Sequence, residues 1–527
     1  MVNHGRDKKD AKPQQQRRGK KNQKVGNDDD PDDAAATMRD VELPDDYSIF
    51  GGSASSNGGF DDADAYADGD LFDDGDGAGD DPDGGDDGDP DRVEDAAASR
   101  ASKLADALSL ASTISSSIFS FVPNRNNLLV EKERRSAKRE GGLRTIFKAV
   151  TTCATGPEGR VVLEDHWGSV WEACSYSAMG KGNARPSEQY AACRVIEACS
   201  VVLGGDRDDV VEAANGPLRK VVNATGRATQ VRVAALRCLS MVHFICGTDC
   251  LEEGEDCSSV MDLCENLGGE RYRGDKTPSV LRATALDCWS LLSSTLHDAH
   301  VAAGDDSDGS IELGRGLRLL PLLAICLDSS DAALRRSAGE AVSLIHECRL
   351  RMGLDEEVAD NTTERKFRRG SWDGSEWEVL MDEVKQRVAE LSVESSHHMS
   401  KQAKKQQRAT FRDFMHTIVE DEFPDEVVNW RGGKLTINSW KEIIQLNFIR
   451  HCLQGGFQAQ LMTNETLHAI FGATINASGT SRSQIEKRMF LSKTSEAAKA
   501  ADRIMAKQRR TRTNVKNHFL TSDGEDI

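Results

Sequence analysis

Toward the end of the chain, residues 482–516 hold eleven Lys and Arg side chains against three acids, Glu486, Glu496 and Asp502. At about 100° per residue on a helix, Lys499, Arg503, Lys507 and Arg510 fall on one narrow stripe, and Ala497, Ala501 and Ile504 on the opposite side. One face can therefore pack on the protein while the other presents a row of cations. The chemistry such a row offers is attraction for backbone phosphates, with a strong salt dependence. Arg509, Arg510 and Arg512 add planar guanidiniums that can stack on exposed bases, and Lys516 extends the run. The same pattern also suits an ordinary solvated helix face, and charge alone does not separate the two.

Bond-making chemistry has no comparable signature. No His-Glu-x-x-His, no Gly-x-x-x-x-Gly-Lys-Ser/Thr loop, no Gly-x-Ser-x-Gly elbow and no complete Gly-x-Gly-x-x-Gly occurs. The nearest metal candidate is His243, Cys246, Cys250, Cys257 and Cys264. The Cys246-x3-Cys250 step is tolerable for zinc, but the later gaps of six residues match no finger spacing. Cys246 lies on the apolar face of its helix, so core packing accounts for it. The reading is a non-enzyme with no cofactor, no bound metal and no small-molecule substrate.

The elements that must hold the cationic segment are separated by composition. The formal net charge of −20 is concentrated in residues 27–95, where 26 acids face Arg39 and Arg92. That segment carries −24, so the rest of the chain is about +4. Its Asp/Gly runs, such as Asp70–Gly75, lack the alternation and distal Glu of a calcium loop. It reads as a disordered, solubilising tail that could also screen basic segments in cis. Ahead of it lies a basic arm with Lys8, Lys9, Lys12, Arg17, Arg18, Lys20, Lys21 and Lys24. This arm suits nuclear import or nucleic-acid contact, or is simply solvated. Thirteen cysteines scattered singly through helical patterns fit buried thiols in a reducing compartment. No secretory h-region opens the chain, and no apolar run approaches the roughly 18 residues of a membrane span. Cytoplasmic and nuclear residence, without membrane contact, is expected.

From Ser99 the pattern is helical. Leu143, Ile146, Phe147 and Val150 share a face, as do Ala192, Ile196, Cys199 and Leu203. Val231, Ala234, Cys238 and Val242 repeat the logic. So do Leu281, Ala285, Cys288 and Leu292, then Leu334, Ala338, Ala341, Ile345 and Cys348. Each helix reads as one apolar stripe with small residues interleaved. Starts near Ser187, Gln230, Pro278 and Ser330 recur at a spacing close to the roughly 40–47 residues of HEAT and armadillo repeats. No strand alternation interrupts this region. An all-α, armadillo/HEAT-like α-solenoid is predicted over 99–350, after a disordered 1–98. A charged connector over 351–400, with a helix around Trp377–Leu391, leads to a small, mostly helical C-terminal domain over 401–519 and an acidic tail over 520–527.

Within 401–519, Phe411, Phe414, Met415 and Ile418 share a helix face, and Pro424 ends it. Glu426–Trp430 and Lys434–Ile437 read as a hairpin across Arg431-Gly432-Gly433. Ser439-Trp440-Lys441-Glu442 is a capping box whose helix stops at Gly455-Gly456. Thr463 or Asn464 caps a short helix to Phe471, and Ser483–Glu486 opens the long cationic one. Arg408–Asp413, Phe423–Glu426, Leu435–Trp440 and Asn464–Phe471 resemble, in the right order, the C-terminal domain of the interferon-related developmental regulators. Leu320–Glu347, with Ala338-Gly339-Glu340 mid-helix, resembles that family's last repeat. Gln454-Gly455-Gly456 departs from the family's Gly-Ser-Gly.

The resemblance implies regulation by binding. Family members are described as factors that occupy ribosomes and silence translation, and as transcriptional co-regulators that recruit corepressor complexes. On the first description the cationic helix meets ribosomal RNA. On the second, the inner face of the solenoid holds a corepressor or transcription-factor partner.

Overall fold

The structure, a computed structural model, describes residues 90–119, 128–247, 255–303, 314–359, 376–393, 401–430 and 433–472. Helix α1 (Pro90–Phe119) packs on α2 (Leu128–Cys153) and α3 (Gly156–Ala178). There follow α4 (Pro186–Leu203), α5 (Asp208–Asn223), α6 (Thr229–Cys246), α7 (Glu255–Gly268), α8 (Ser279–Ser293), the short α9 (Asp298–Ala302), α10 (Arg315–Leu327) and α11 (Ala332–Ala359). The predicted starts at Ser187, Gln230, Pro278 and Ser330 fall within two residues of α4, α6, α8 and α11. The apolar stripes named above are buried, with Phe147 half-buried at the edge.

Two rows result. Helices α2, α4, α6, α8 and α11 pack each on the next, forming an inner row. Helices α3, α5, α7 and α10 each pack on an inner partner and form the outer row. The array continues past the predicted boundary. Helix α12 (Glu376–Val393) packs on α10, and α13 (Lys401–Ile418) packs on both α11 and α12. Gly339 of α11 makes room for α13, since a Cβ there would lie 2.6 Å from a Phe414 ring carbon.

Three sequence expectations need adjustment. Helix α1 begins at Pro90, not Ser99, because proline suits the first helical position. A hairpin of β1 (Arg271–Tyr272) and β2 (Asp275–Lys276) interrupts the helices, turning on Arg273 and Gly274, both at positive φ. The inner helices are not one-sided stripes. Fourteen of eighteen residues of α4 and fifteen of eighteen in α6 are buried, against six of sixteen in outer α5. A helix buried all round needs a second cover.

That cover is the C-terminal segment. After α13 comes the predicted hairpin, β3 (Glu426–Trp430) antiparallel to β4 (Gly433–Ile437), with Val428, Leu435 and Ile437 turned inward. Helix α14 (Trp440–Leu453) opens on the expected capping box. Ser439 Oγ accepts from the Glu442 N–H at 3.1 Å, and the Glu442 carboxylate accepts from the Asn438 N–H at 2.8 Å. A 3-10 turn at Gln454–Gly456 leads into α15 (Phe457–Thr463) and α16 (Glu465–Phe471).

Candidate functional site

Lys499, Arg503, Lys507, Arg509, Arg510, Arg512 and Lys516 lie outside the described residues, as do Ser483–Glu486 and the remainder of the predicted C-terminal domain beyond residue 472. The structure does describe how the chain that leads to them is fastened. From Trp440 to Phe471 that chain crosses the inner row in reverse order, from α11 back to α2.

At the α11 end, the Trp440 N–H donates to a Glu347 carboxylate oxygen at 2.5 Å, and its indole N–H donates to Thr417 Oγ1 at 2.8 Å. Burial pushes the Glu347 carboxyl up, while the Trp440 and Arg351 hydrogen bonds oppose that rise. Lys441 Nζ pairs with Asp298 at 2.6 Å and donates to the Leu296 carbonyl at 2.8 Å. Gln445 donates to Ser294 Oγ at the end of α8.

In the middle, buried Arg194 of α4 donates to the carbonyls of His451 and Cys452 at 2.5 and 3.0 Å. These belong to the last turn of α14, whose carbonyls have no helical partners. The other Arg194 nitrogen meets Glu197 at 2.5 Å. Burial opposes the Arg194 charge, but Glu197 more than restores it and holds the guanidinium above its ordinary pKa. Arg237 of α6 lies 3.2 Å from the His451 ring nitrogen. Burial, then Arg237 and Arg194, hold His451 well below the usual histidine range, so its imidazole is neutral and accepts from Arg237.

At the α2 end, one Gln460 amide reaches the carbonyls of Val150, Thr151 and Ala154 at 3.3, 3.3 and 2.9 Å. Gly456 presses on this helix end, because a Cβ there would sit 2.4 Å from the Thr151 carbonyl oxygen. Asn464 performs two tasks. Its Oδ1 caps α16 by accepting from Thr466 and Leu467, and its Nδ2 donates to the Val201 carbonyl of α4 at 2.9 Å. Gly204, at φ +81° just after α4, leaves room for the Thr466 hydroxyl.

The cysteines behave as core. Cys246 is fully buried and donates to the Ser200 carbonyl at 3.7 Å; Cys257 and Cys264 are also buried, and Cys250 lies outside the described residues. Burial pushes the Cys193, Cys246 and Cys288 thiols up to about 12, which suppresses the reactive thiolate. Among the described residues, one group has metal-ligand spacing: His416, Glu420 and Glu422, all exposed, at the end of α13. His416 Nδ1 meets Glu420 at 2.6 Å and Glu422 at 3.7 Å. No described helix is long and apolar enough to cross a membrane.

A sequence model of the interferon-related developmental regulators matches residues 90–419, from the first residue of α1 to just past α13. The chain belongs to that family. It is 26% identical over 297 residues to interferon-related developmental regulator 1 of Mus musculus, covering 54% of this chain and 58% of that protein. With the Homo sapiens protein of the same name it is 24% identical over 354 residues, 64% of this chain and 70% of that one. Interferon-related developmental regulator 2 of Mus musculus is 24% identical over 302 residues, 56% and 60% of the two chains. The chain thus spans little more than half the length of the mouse relatives it matches. These relatives are named as developmental regulators, not as enzymes.

For this family member, the inner face expected to receive a partner carries the chain's own α14 and α15. The stripes of apolar residues foretold the inner helices but not their cover. The available signal was the buried-type composition of their other faces, as in Ala191, Ala198 and Ser200 of α4 or Ala235 and Ser240 of α6.

Proposed function

We propose that this regulator binds the ribosome through ribosomal RNA and lowers translation. Lys499, Arg503, Lys507 and Arg510 contact phosphates, and Arg509, Arg512 and Lys516 extend the contact. The observation that carries this reading is the anchoring of α16. A cationic segment confers a defined geometry on RNA only when its root is fixed. Here the root is fixed by Asn464 and Gln460, both buried and bonded to carbonyls of α4 and α2, eighteen and twenty-two residues before the segment begins at 482. The segregation of cations from Ala497, Ala501 and Ile504 supports the same reading. The family resemblance supplies the ribosome as the source of the RNA. A ribosome-bound role places the working protein in the cytoplasm, with the basic N-terminal arm available for nuclear entry.

Binding of the full chain to purified ribosomal RNA, titrated across salt, tests this. Reversing Lys499, Arg503, Lys507 and Arg510 to Glu should reduce the slope of log affinity against log salt by about 3, at roughly 0.7 per lost single-strand phosphate contact. An unchanged slope would remove these residues from the contact. No binding by the wild type at low salt would remove the RNA reading.

A further inference from the structure

Helix α2 carries a second row of cations, within the described residues. Arg134, Lys138, Arg144 and Lys148 are exposed, with the Arg144 side chain 68% accessible. At about 100° per residue they fall within roughly 120° of one another. Ala137, Gly141 and Thr145, also exposed, fill the stripe between them, so no acid stands on it. The opposite face, with Ser136, Arg139, Leu143, Ile146 and Val150, is buried. Among the residues whose side chains are described, two acids flank the stripe: Glu140, paired with Arg144 at 2.8 Å, and Glu133, paired with Arg185 at 3.4 Å. The result is a flat cationic strip about 21 Å long, at 1.5 Å per helical residue.

We infer that this strip is the docking face for the chain's own Asp-rich segment, residues 60–89. Three observations select that occupant. The first is charge: the segment holds fourteen Asp and no Lys or Arg. The second is where it enters the fold. It runs directly into α1 at Pro90, and α1 lies antiparallel on α2. Ile114 sits beside Gly142, and Ile118 and Arg139 both meet Gly182. This register puts Lys148 level with about Leu108, some 27 Å from Pro90 along α1. The third is reach. Thirty residues extend to about 100 Å, enough to turn back from Pro90 and cover the strip as far as Arg134. Tethering makes the encounter intramolecular, so modest attraction at each Asp suffices. The docked segment masks the strip from other polyanions, and salt releases it.

The test is zero-length carbodiimide cross-linking of the full chain, read by mass spectrometry, and it is independent of any RNA binding. Cross-links from Asp61–Asp89 to Lys138 and Lys148 are expected at about 0.02 M salt, falling at least about fivefold at about 0.5 M. The variant R134E/R144E keeps both reporter lysines and should lose these cross-links to a similar extent, with its helical circular dichroism unchanged. Cross-links that land instead on Lys499 or Lys507, or that ignore the two reversals, would overturn the proposal. So would Lys138 and Lys148 that never cross-link to the segment yet are shielded by added homopolymer RNA, which would make the strip a nucleic-acid face.

Discussion

The inner and outer rows are built from helices of similar length and meet different surroundings. Outer α5 buries Val210, Ala214, Leu218 and Val221 on one side and leaves Glu212, Gly216 and Lys220 in water. Inner α4 and α6 bury nearly every residue, including Arg194, Glu197, Arg237 and His243. The difference teaches that the C-terminal helices complete the core of the array. Two of these buried charges take partners from α14: Arg194 has two α14 carbonyls beside its pair with Glu197, and Arg237 has the His451 ring. The same charges would be costly beneath an apolar cover.

The sharpest way to break this contrast is to remove one arginine from each row. Arg194→Ala deletes the α14 anchor and leaves Glu197 buried without its cation, an expected loss of about 3–5 kcal/mol in denaturant unfolding. Arg207→Ala, at the entrance to α5, breaks pairs with the half-exposed to exposed Glu164 and Asp209 and should cost about 1 kcal/mol or less. Equal losses would mean the rows do not differ.

Two adjacent glycines sharpen it further. Gly456→Ala forces a methyl onto the Thr151 backbone and should cost about 1–3 kcal/mol. Gly455→Ala meets nothing within 4 Å and should leave the unfolding midpoint nearly unchanged. A smaller effect comes from His451. Its folded-state pKa is depressed, so the unfolded chain takes up a proton that the folded chain refuses. The stability this group contributes is therefore present above the unfolded value near 6.5 and is lost as pH falls below it, by about 1.4 kcal/mol near pH 5.5. His451→Gln should remove that component of the pH profile, measured as the unfolding midpoint from about pH 7 to 5.5.

Much of this was legible in residue order. Helix starts at Pro186 and Ser279 follow from proline and serine near first turns, the hairpin from Gly432-Gly433, and the α14 and α16 caps from Ser439, Glu442 and Asn464. These are local signals, complete within a few residues. The crossing of the inner row was not legible, because its anchors are non-local. Arg194 finds Cys452 and Gln460 finds Ala154 across hundreds of residues, and no local pattern encodes such pairs. Arg194 and Arg237 read as ordinary polar positions between apolar stripes. Only their place on helices otherwise rich in Ala, Cys and Ser hints at burial. Helical periodicity alone puts Lys499, Arg503, Lys507 and Arg510 on one stripe; they lie outside the described residues, and function is assigned to them as a proposal.

The central claim is that this stripe, rooted on the inner row, holds the regulator on the ribosome. Sucrose-gradient sedimentation of a lysate containing the full chain, beside the variant K499E/R503E/K507E/R510E, tests it most directly. The account predicts that the wild type travels with ribosomes at low salt, is released as salt rises, and that the variant stays at the top of the gradient with its helical circular dichroism intact. A wild type that never enters the ribosomal fractions, or a variant that enters them equally, would contradict it.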